Sequence, residues 1–142
     1  MSIWFREYKL AEVRQLEQNN MFSHIGIELT EITETGIGGK MPVDHRTTQP
    51  MGLLHGGASC VLAESLGSTG AHLVIDTEKF YCVGLEINAN HVRSVTKGFV
   101  YGFAKPIHLG KTTQIWNIEI TDERKKLVCI SRLTMAVIEK KL

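Results

Sequence analysis

The chain reads as an α+β protein in which one long central helix is wrapped by a curved antiparallel β-sheet. Three observations predict this. The segment Leu54 to Ile75 has no proline and is small or apolar nearly all round, as a buried helix must be. Everything after Lys79 alternates as strand, with short joints between the strands. At 142 residues, 43% hydrophobic and 22% charged, the chain fits one domain, residues 1–142, with one sizeable core.

Each element follows from its pattern. Glu7 to Gln18 places Leu10, Val13, Leu16 and Glu17 near helical spacing, and Asn19-Asn20 stops the helix. His24 to Glu34 alternates weakly through Ile25, Ile27 and Leu29. The turn Thr35-Gly36 then leads into Ile37 to Val43, which predicts a β-hairpin closed by Pro42. Asp44 to Met51 is a polar loop, and Pro50, Gly52 and the pair Gly56-Gly57 make a turn-rich approach to the long helix. Gly67 and Gly70 each weaken an isolated helix by about 1 kcal/mol relative to alanine, and are tolerable where a sheet comes close. Four strands follow: Phe80 to His91, Gly98 to Ile107, Thr112 to Thr121 and Leu127 to Ile138. Their short joints predict an antiparallel meander.

Composition excludes several classes. Net charge is +1 without a basic block, so nucleic acid is not an expected partner. No apolar run reaches membrane-spanning length, and the N-terminus carries charge too early for a secretory signal. Cys60, Cys82 and Cys129 are odd in number, far apart and set in apolar segments, which predicts buried free thiols in the cytoplasm. The six histidines show no metal-ligand spacing, so no metal is expected. No nucleophile-elbow or phosphate-loop motif occurs.

The chemistry concentrates on the long helix. From Ala58 to Ile75 there is one charge in eighteen residues, Glu64, and a carboxylate in apolar surroundings is rarely there for stability. It is open to three readings: a structural carboxylate, a general base for water, or a nucleophile toward an acyl group. His55 precedes Glu64 by nine residues, about half a turn out of phase and roughly 13 Å along the axis. A shared site therefore needs His55 from one subunit and Glu64 from another. Ser68 lies one turn beyond Glu64 on the same face. The Gly56 and Gly57 amides at the helix start are suited to polarising a carbonyl. A third candidate is the strand end His91 to Ser94, with Arg93, together with the turn His108 to Thr113, with Lys111. Their cations and amides suit phosphate.

The run Gln49-Pro50-x-Gly52-x-Leu54-His55-Gly56-Gly57, followed by Glu64-x-x-Gly67-Ser68, resembles the hotdog-fold acyl-CoA thioesterases of the 4-hydroxybenzoyl-CoA and phenylacetate-pathway type. Further matches are Met41-Pro42-Val43-Asp44, Leu85-Glu86-Ile87-Asn88-Ala89-Asn90-His91, Pro106-Ile107-His108-Leu109-Gly110 and Ser131-Arg132-Leu133. The motifs are most similar to the branch holding the 1,4-dihydroxy-2-naphthoyl-CoA thioesterase of menaquinone synthesis and the enterobactin-pathway proofreading thioesterase. The resemblance implies hydrolysis of an aromatic or medium-chain acyl-CoA, or of a misacylated carrier protein, by a homotetramer with active sites at dimer interfaces. No cofactor is implied, since coenzyme A is part of the substrate. Glu64 would be nucleophile or general base, Gln49 and His55 would orient thioester and water, the Gly56 or Gly57 amide would polarise the carbonyl, and Ser68 would support hydrolysis. Gly84, His91, Val92, Arg93, Ser94, His108, Leu109, Gly110, Lys111, Thr112 and Thr113 match coenzyme A contacts. Ser94 stands where proline is common and Lys111 where arginine is common, which loosens the implied phosphate grip. Met51, Ser68, Thr69 and His72 are candidates to line the acyl pocket. A hydratase of the same fold lacks this motif pattern, and a non-catalytic acyl-CoA sensor would need an added partner segment.

Overall fold

Asn19 and Asn20 divide the N-terminal region differently from the expectation. In the computed structural model, which describes residues 1–141, the expected single helix is one short helix, α1 (Leu10–Val13), running into a 3₁₀ turn at Arg14–Glu17. Asn19 takes the left-handed conformation with φ 58°. Asn20 then caps a second helix, α2 (Met21–Ile25), accepting from the Phe22 N–H at 3.0 Å while Ser23 completes a reciprocal box. The expected strand from His24 is therefore delayed. Gly26 ends α2 at φ 78°, and the first strand, β1, is Glu28–Ile32.

β1 pairs with β2 (Ile37–Pro42) as the predicted hairpin, Ile32 opposite Ile37. The long helix, α3, spans Gly56–Val74, about 28 Å at the usual rise. It is followed by β3 (Phe80–His91), β4 (Phe99–Leu109), β5 (Thr113–Thr121) and β6 (Leu127–Glu139). All pairings are antiparallel, and the order across the sheet is β1-β2-β4-β5-β6-β3. The expected four-strand meander is thus only a three-strand one. β3 does not pair with β4 but lies at the far edge, against β6. The cause is the connection after His91. The Val92 and Arg93 N–H groups both donate to the Val128 carbonyl, and the Val95 carbonyl accepts from Leu54. The chain therefore passes beneath the end of the sheet instead of turning back on itself.

The sheet curls round α3 through matched bulk and absence. Leu66 is fully buried, and its two methyls occupy the space that Cβ atoms on Gly39 and Gly102 would need, at 2.7 Å each. In the other direction, Leu133 fills the space over Gly67 and the Trp116 ring that over Gly70. The helix glycines thus admit large side chains rather than sheet backbone, and the sheet glycines admit the helix. Trp116 is itself held by Gln114, which accepts from its Nε1 at 2.9 Å, and by Trp4, stacked at 6.4 Å. Replacing Leu66 with alanine removes the central peg of this contact. Chemical denaturation should show a loss of about 2–5 kcal/mol.

Candidate active site

α3 is not buried on every side, as its composition suggested. Gly57 and Glu64 are exposed, and Cys60, Val61, Ser68 and His72 are half-buried, forming one open stripe along the helix. Glu64 is therefore a surface carboxylate of this chain. It accepts no hydrogen bond and makes no ion pair among the described residues, and its Oε1 rests over Gly84 of β3. Ser68 lies one turn further on, its hydroxyl directed at the Ser65 carbonyl at 3.4 Å.

The start of α3 is built by the loop before it. The Gln49 N–H donates to the Leu53 carbonyl and the Gly52 N–H to the Gln49 carbonyl, with Gly52 at φ 80°. The Gln49 side-chain oxygen accepts from the Met51 N–H, leaving its NH₂ for the cleft. His55 is extended and caps α3, its Nδ1 accepting from the Gly57 N–H at 2.8 Å. That bond assigns the proton to Nε2. The Ala58 and Ser59 N–H groups donate to the His55 carbonyl. Of the first amides of the helix, the Gly56 N–H alone has no acceptor among the described residues.

Gly56 also lines a cleft of about 380 Å³, with Gln49, His91, Val92, Arg93 and Ser94. The His91 ring lies against Gly56, with Nε2 2.9 Å from where a Cβ would stand. Residues 49, 56 and 91–94, far apart in sequence, thus converge. Leu54, Ser59 and Val128 also line the cleft and were not anticipated. Ser59 had a legible signal, since it follows Gly56 by three residues and shares its helix face. Val128 had none, because only the passage of residues 92–93 past its carbonyl brings it there.

Other expected neighbours are apart. His55 turns its ring to a second, more apolar hollow of about 350 Å³ with Met21, Ile25, Gly57 and Val61. As a cap it lies outside the helical repeat, so the expected phase opposition to Glu64 does not apply, although the axial separation does. Gly56 and Glu64 are likewise about 12 Å apart along α3. His108 to Thr113 forms the β4–β5 turn, where the Gly110 N–H donates to the Thr113 carbonyl. Thr113 is opposite Ala136 on β6 while His91 is opposite Cys129, a separation of roughly 23 Å along that strand. Arg93 and Lys111 of one chain therefore do not grip one phosphate.

Electrostatics narrow the chemistry. Burial pushes the Cys82 and Cys129 thiols up to about 11, and burial followed by the Glu64 charge raises Cys60. Thiols held protonated are poor nucleophiles, so Cys60 is not favoured as the nucleophile of the open stripe. β3 is an edge strand exposing Tyr81, Val83 and Leu85, the last 60% exposed. Through the Glu64–Gly84 contact, this edge is continuous with the open stripe of α3.

Comparison with known proteins agrees with this architecture. Residues 51–129 match the family described as the thioesterase superfamily. The chain belongs to that superfamily. It is 49% identical to the 1,4-dihydroxy-2-naphthoyl-CoA hydrolase of Escherichia coli over 136 residues, covering 96% of this chain and 99% of that protein. It is 46% identical to the proofreading thioesterase EntH of Klebsiella pneumoniae, covering 95% and 98%. Among solved structures, a mutant thioesterase from Pseudomonas aeruginosa superposes with a TM-score of 0.96 at 45% identity, covering 98% of this chain and all of that one. A thioesterase from Haemophilus influenzae gives 0.92 at 47% identity, covering 96% and 95%. The fold is the hotdog fold, and the chain is a thioester hydrolase.

The loop that presents His55 depends on Asp44. Its carboxylate accepts from the Arg46 guanidinium at 2.7 Å and from the Arg46 N–H at 2.9 Å, while the Thr47 carbonyl accepts from the His55 N–H. The Arg46 side chain first, then its backbone, hold Asp44 down at about 2. A depressed carboxylate pKa contributes stability above its unfolded value, near 3.9, and that contribution is lost as pH falls toward 2. In an NMR titration, Arg46→Ala should move the Asp44 midpoint upward, and acid unfolding should begin at higher pH.

Proposed function

We propose that this thioesterase hydrolyses acyl-CoA thioesters at a site completed by two copies of the chain. The observation that carries the reading is the free Gly56 N–H at the start of α3, set in one cleft with Gln49, His91 and Arg93. In this reading the thioester carbonyl oxygen accepts from the Gly56 amide, whose position at the positive end of the helix stabilises the developing oxyanion. The Gln49 NH₂ orients thioester and water, and His55 acts by holding the Gly57 amide and so shaping the helix start. His91 to Ser94 receive the thiol arm, and Ser68, one turn beyond Glu64, supports the hydrolytic step from the same copy as Glu64.

Glu64 comes from the second copy, because within one chain it is about 12 Å too far along α3. Pairing two copies along the exposed edge of β3 is the arrangement that bridges this gap. It satisfies an otherwise unpaired ladder. A dimer of such dimers gives the homotetramer, in which His108 to Thr113 of a neighbouring copy is available to coenzyme A. Glu64 either takes a proton from water, whose oxygen adds to the acyl carbon, or adds to that carbon itself and is released by water. In both forms the C–S bond breaks, the thiolate leaves with a proton, and the carboxylate is restored.

The acyl group is aromatic or medium-chain. Likeness to the Escherichia coli enzyme supports 1,4-dihydroxy-2-naphthoyl-CoA as a substrate. The motif resemblance supports a role in menaquinone synthesis, and the free thiols suit the cytoplasm. Likeness to the Klebsiella enzyme supports acylated carrier protein as a second substrate. Thiol release should be measured against aromatic and aliphatic acyl-CoAs and an acylated carrier protein. Turnover of none of these would overturn the reading.

Glu64→Gln should lower kcat by at least about 10²-fold with melting unchanged. In a single turnover in ¹⁸O-water, ¹⁸O appearing in the Glu64 carboxylate identifies the nucleophilic route, with water adding to the Glu64 carbonyl carbon of the anhydride. Gly56→Val places side-chain atoms in the His91 ring and should also abolish turnover. Co-expressing it with Glu64→Gln should restore activity in mixed oligomers, since some sites then hold both intact halves. Failure to complement would remove the two-copy site.

A further inference from the structure

We infer that Gly84 is a positioning residue: the space left by its missing side chain is the seat that holds the Glu64 carboxylate against β3. This rests on the proposed role of Glu64 and adds to it the means by which an otherwise unattached carboxylate is aimed.

Glycine is disfavoured inside strands, because it orders at an entropic cost and offers nothing to pack. Gly84 sits in the middle of β3 and needs a reason. A left-handed backbone does not supply one: the glycines with positive φ are Gly26, Gly52 and Gly98, and Gly84 is not among them. Crowding by the core does not supply one either. A Cβ on Gly84 would meet only Met135 Sδ, at an ordinary 3.9 Å, and Glu64, with Oε1 at 2.8 Å and Cδ at 4.0 Å. The one atom such a Cβ would displace is the carboxylate oxygen.

Two features make this seat matter. The β3–β6 register shifts between Gly84 and Glu86, so the carboxylate rests where the ladder is bulged and the strand locally bent. Glu64 also has no hydrogen bond or ion pair to hold it among the described residues, and its side chain has several rotatable bonds. Within the chain its direction is therefore set by packing, and Gly84 is a contact that the carboxylate oxygen itself makes. A misplacement of about 1 Å in a reacting group can cost about 10²-fold in rate. An added methyl must push Oε1 from 2.8 Å out to ordinary contact at 3.4 Å or more, a shift of about 0.6 Å or more.

The test is steady-state kinetics of Gly84→Ala in the full-length enzyme, with thermal melting alongside. The expected result is a fall in kcat of about 10- to 100-fold, KM within about 3-fold, and an unchanged melting temperature. Glu64→Asp draws the carboxylate back by one methylene. It should cost much in the native background and little more in the Gly84→Ala background, a non-additivity that contact predicts. Native kcat in Gly84→Ala while Glu64→Gln is inactive overturns this inference alone. A full-activity Glu64→Gln overturns the proposed function, and this inference with it. A rise in KM at native kcat assigns Gly84 to the coenzyme A contacts instead and overturns the inference, as do multiplicative losses in the double variant. If Gly84→Ala lowers the melting temperature, the same change in Glu64→Ala should not. A drop there too assigns Gly84 to strand stability and overturns the seat.

Discussion

Everything about the site depends on how α3 is seated in the sheet. Leu66 enters between Gly39 and Gly102, while Trp116 and Leu133 cover Gly70 and Gly67. Protein interiors are close-packed, so a helix engaged by bulk and hollow in both directions cannot rotate or slide without opening voids. Fixing the rotation of α3 fixes which stripe is left uncovered. That stripe carries Gly57, Val61, Glu64 and Ser68 and leaves the carboxylate at the surface. The lone charge is thus not a charge buried in a core. It is the polar group of the one face the sheet does not cover.

The cap at the start of α3 works by a similar elimination. His55 takes up the Gly57 amide through its own ring and the next two amides through its own carbonyl. Among the described residues, what is left is a single N–H, on a residue without a side chain, at the lining of a cleft. Helix starts always present unsatisfied donors. Here one residue satisfies its neighbours and leaves the one donor that a ligand oxygen can reach.

Much of this was legible in the residues. The long helix, the hairpin at Thr35-Gly36 and the four later strands follow from periodicity and turn chemistry, and β3 occupies Phe80–His91 as read. The misses have physical causes. A strand reading from His24 overlooked that Asn20 and Ser23 cap each other and that Gly26 ends a turn of helix. The meander reading treated a seven-residue joint as a hairpin, although Val92 and Arg93 bond to Val128 and carry the chain across. Grouping Arg93 with Lys111 followed from that error, because it assumed that neighbours in sequence order are neighbours in the sheet.

Alternation and helical period determined, without any structure, that there is one central helix, one carboxylate on it and a glycine turn before it. These are local properties, set by which side chains tolerate which backbone. Only the tertiary structure decided that β3 stands at a free edge beside the open stripe, that Gly56 rather than Gly57 has the unpaired amide, that His91 lies on Gly56, and that Gly84 lies beneath Glu64. Each of these is a contact between residues distant in the chain or a choice of hydrogen-bond acceptor. Such contacts are settled by strand order and close packing, which no local pattern encodes.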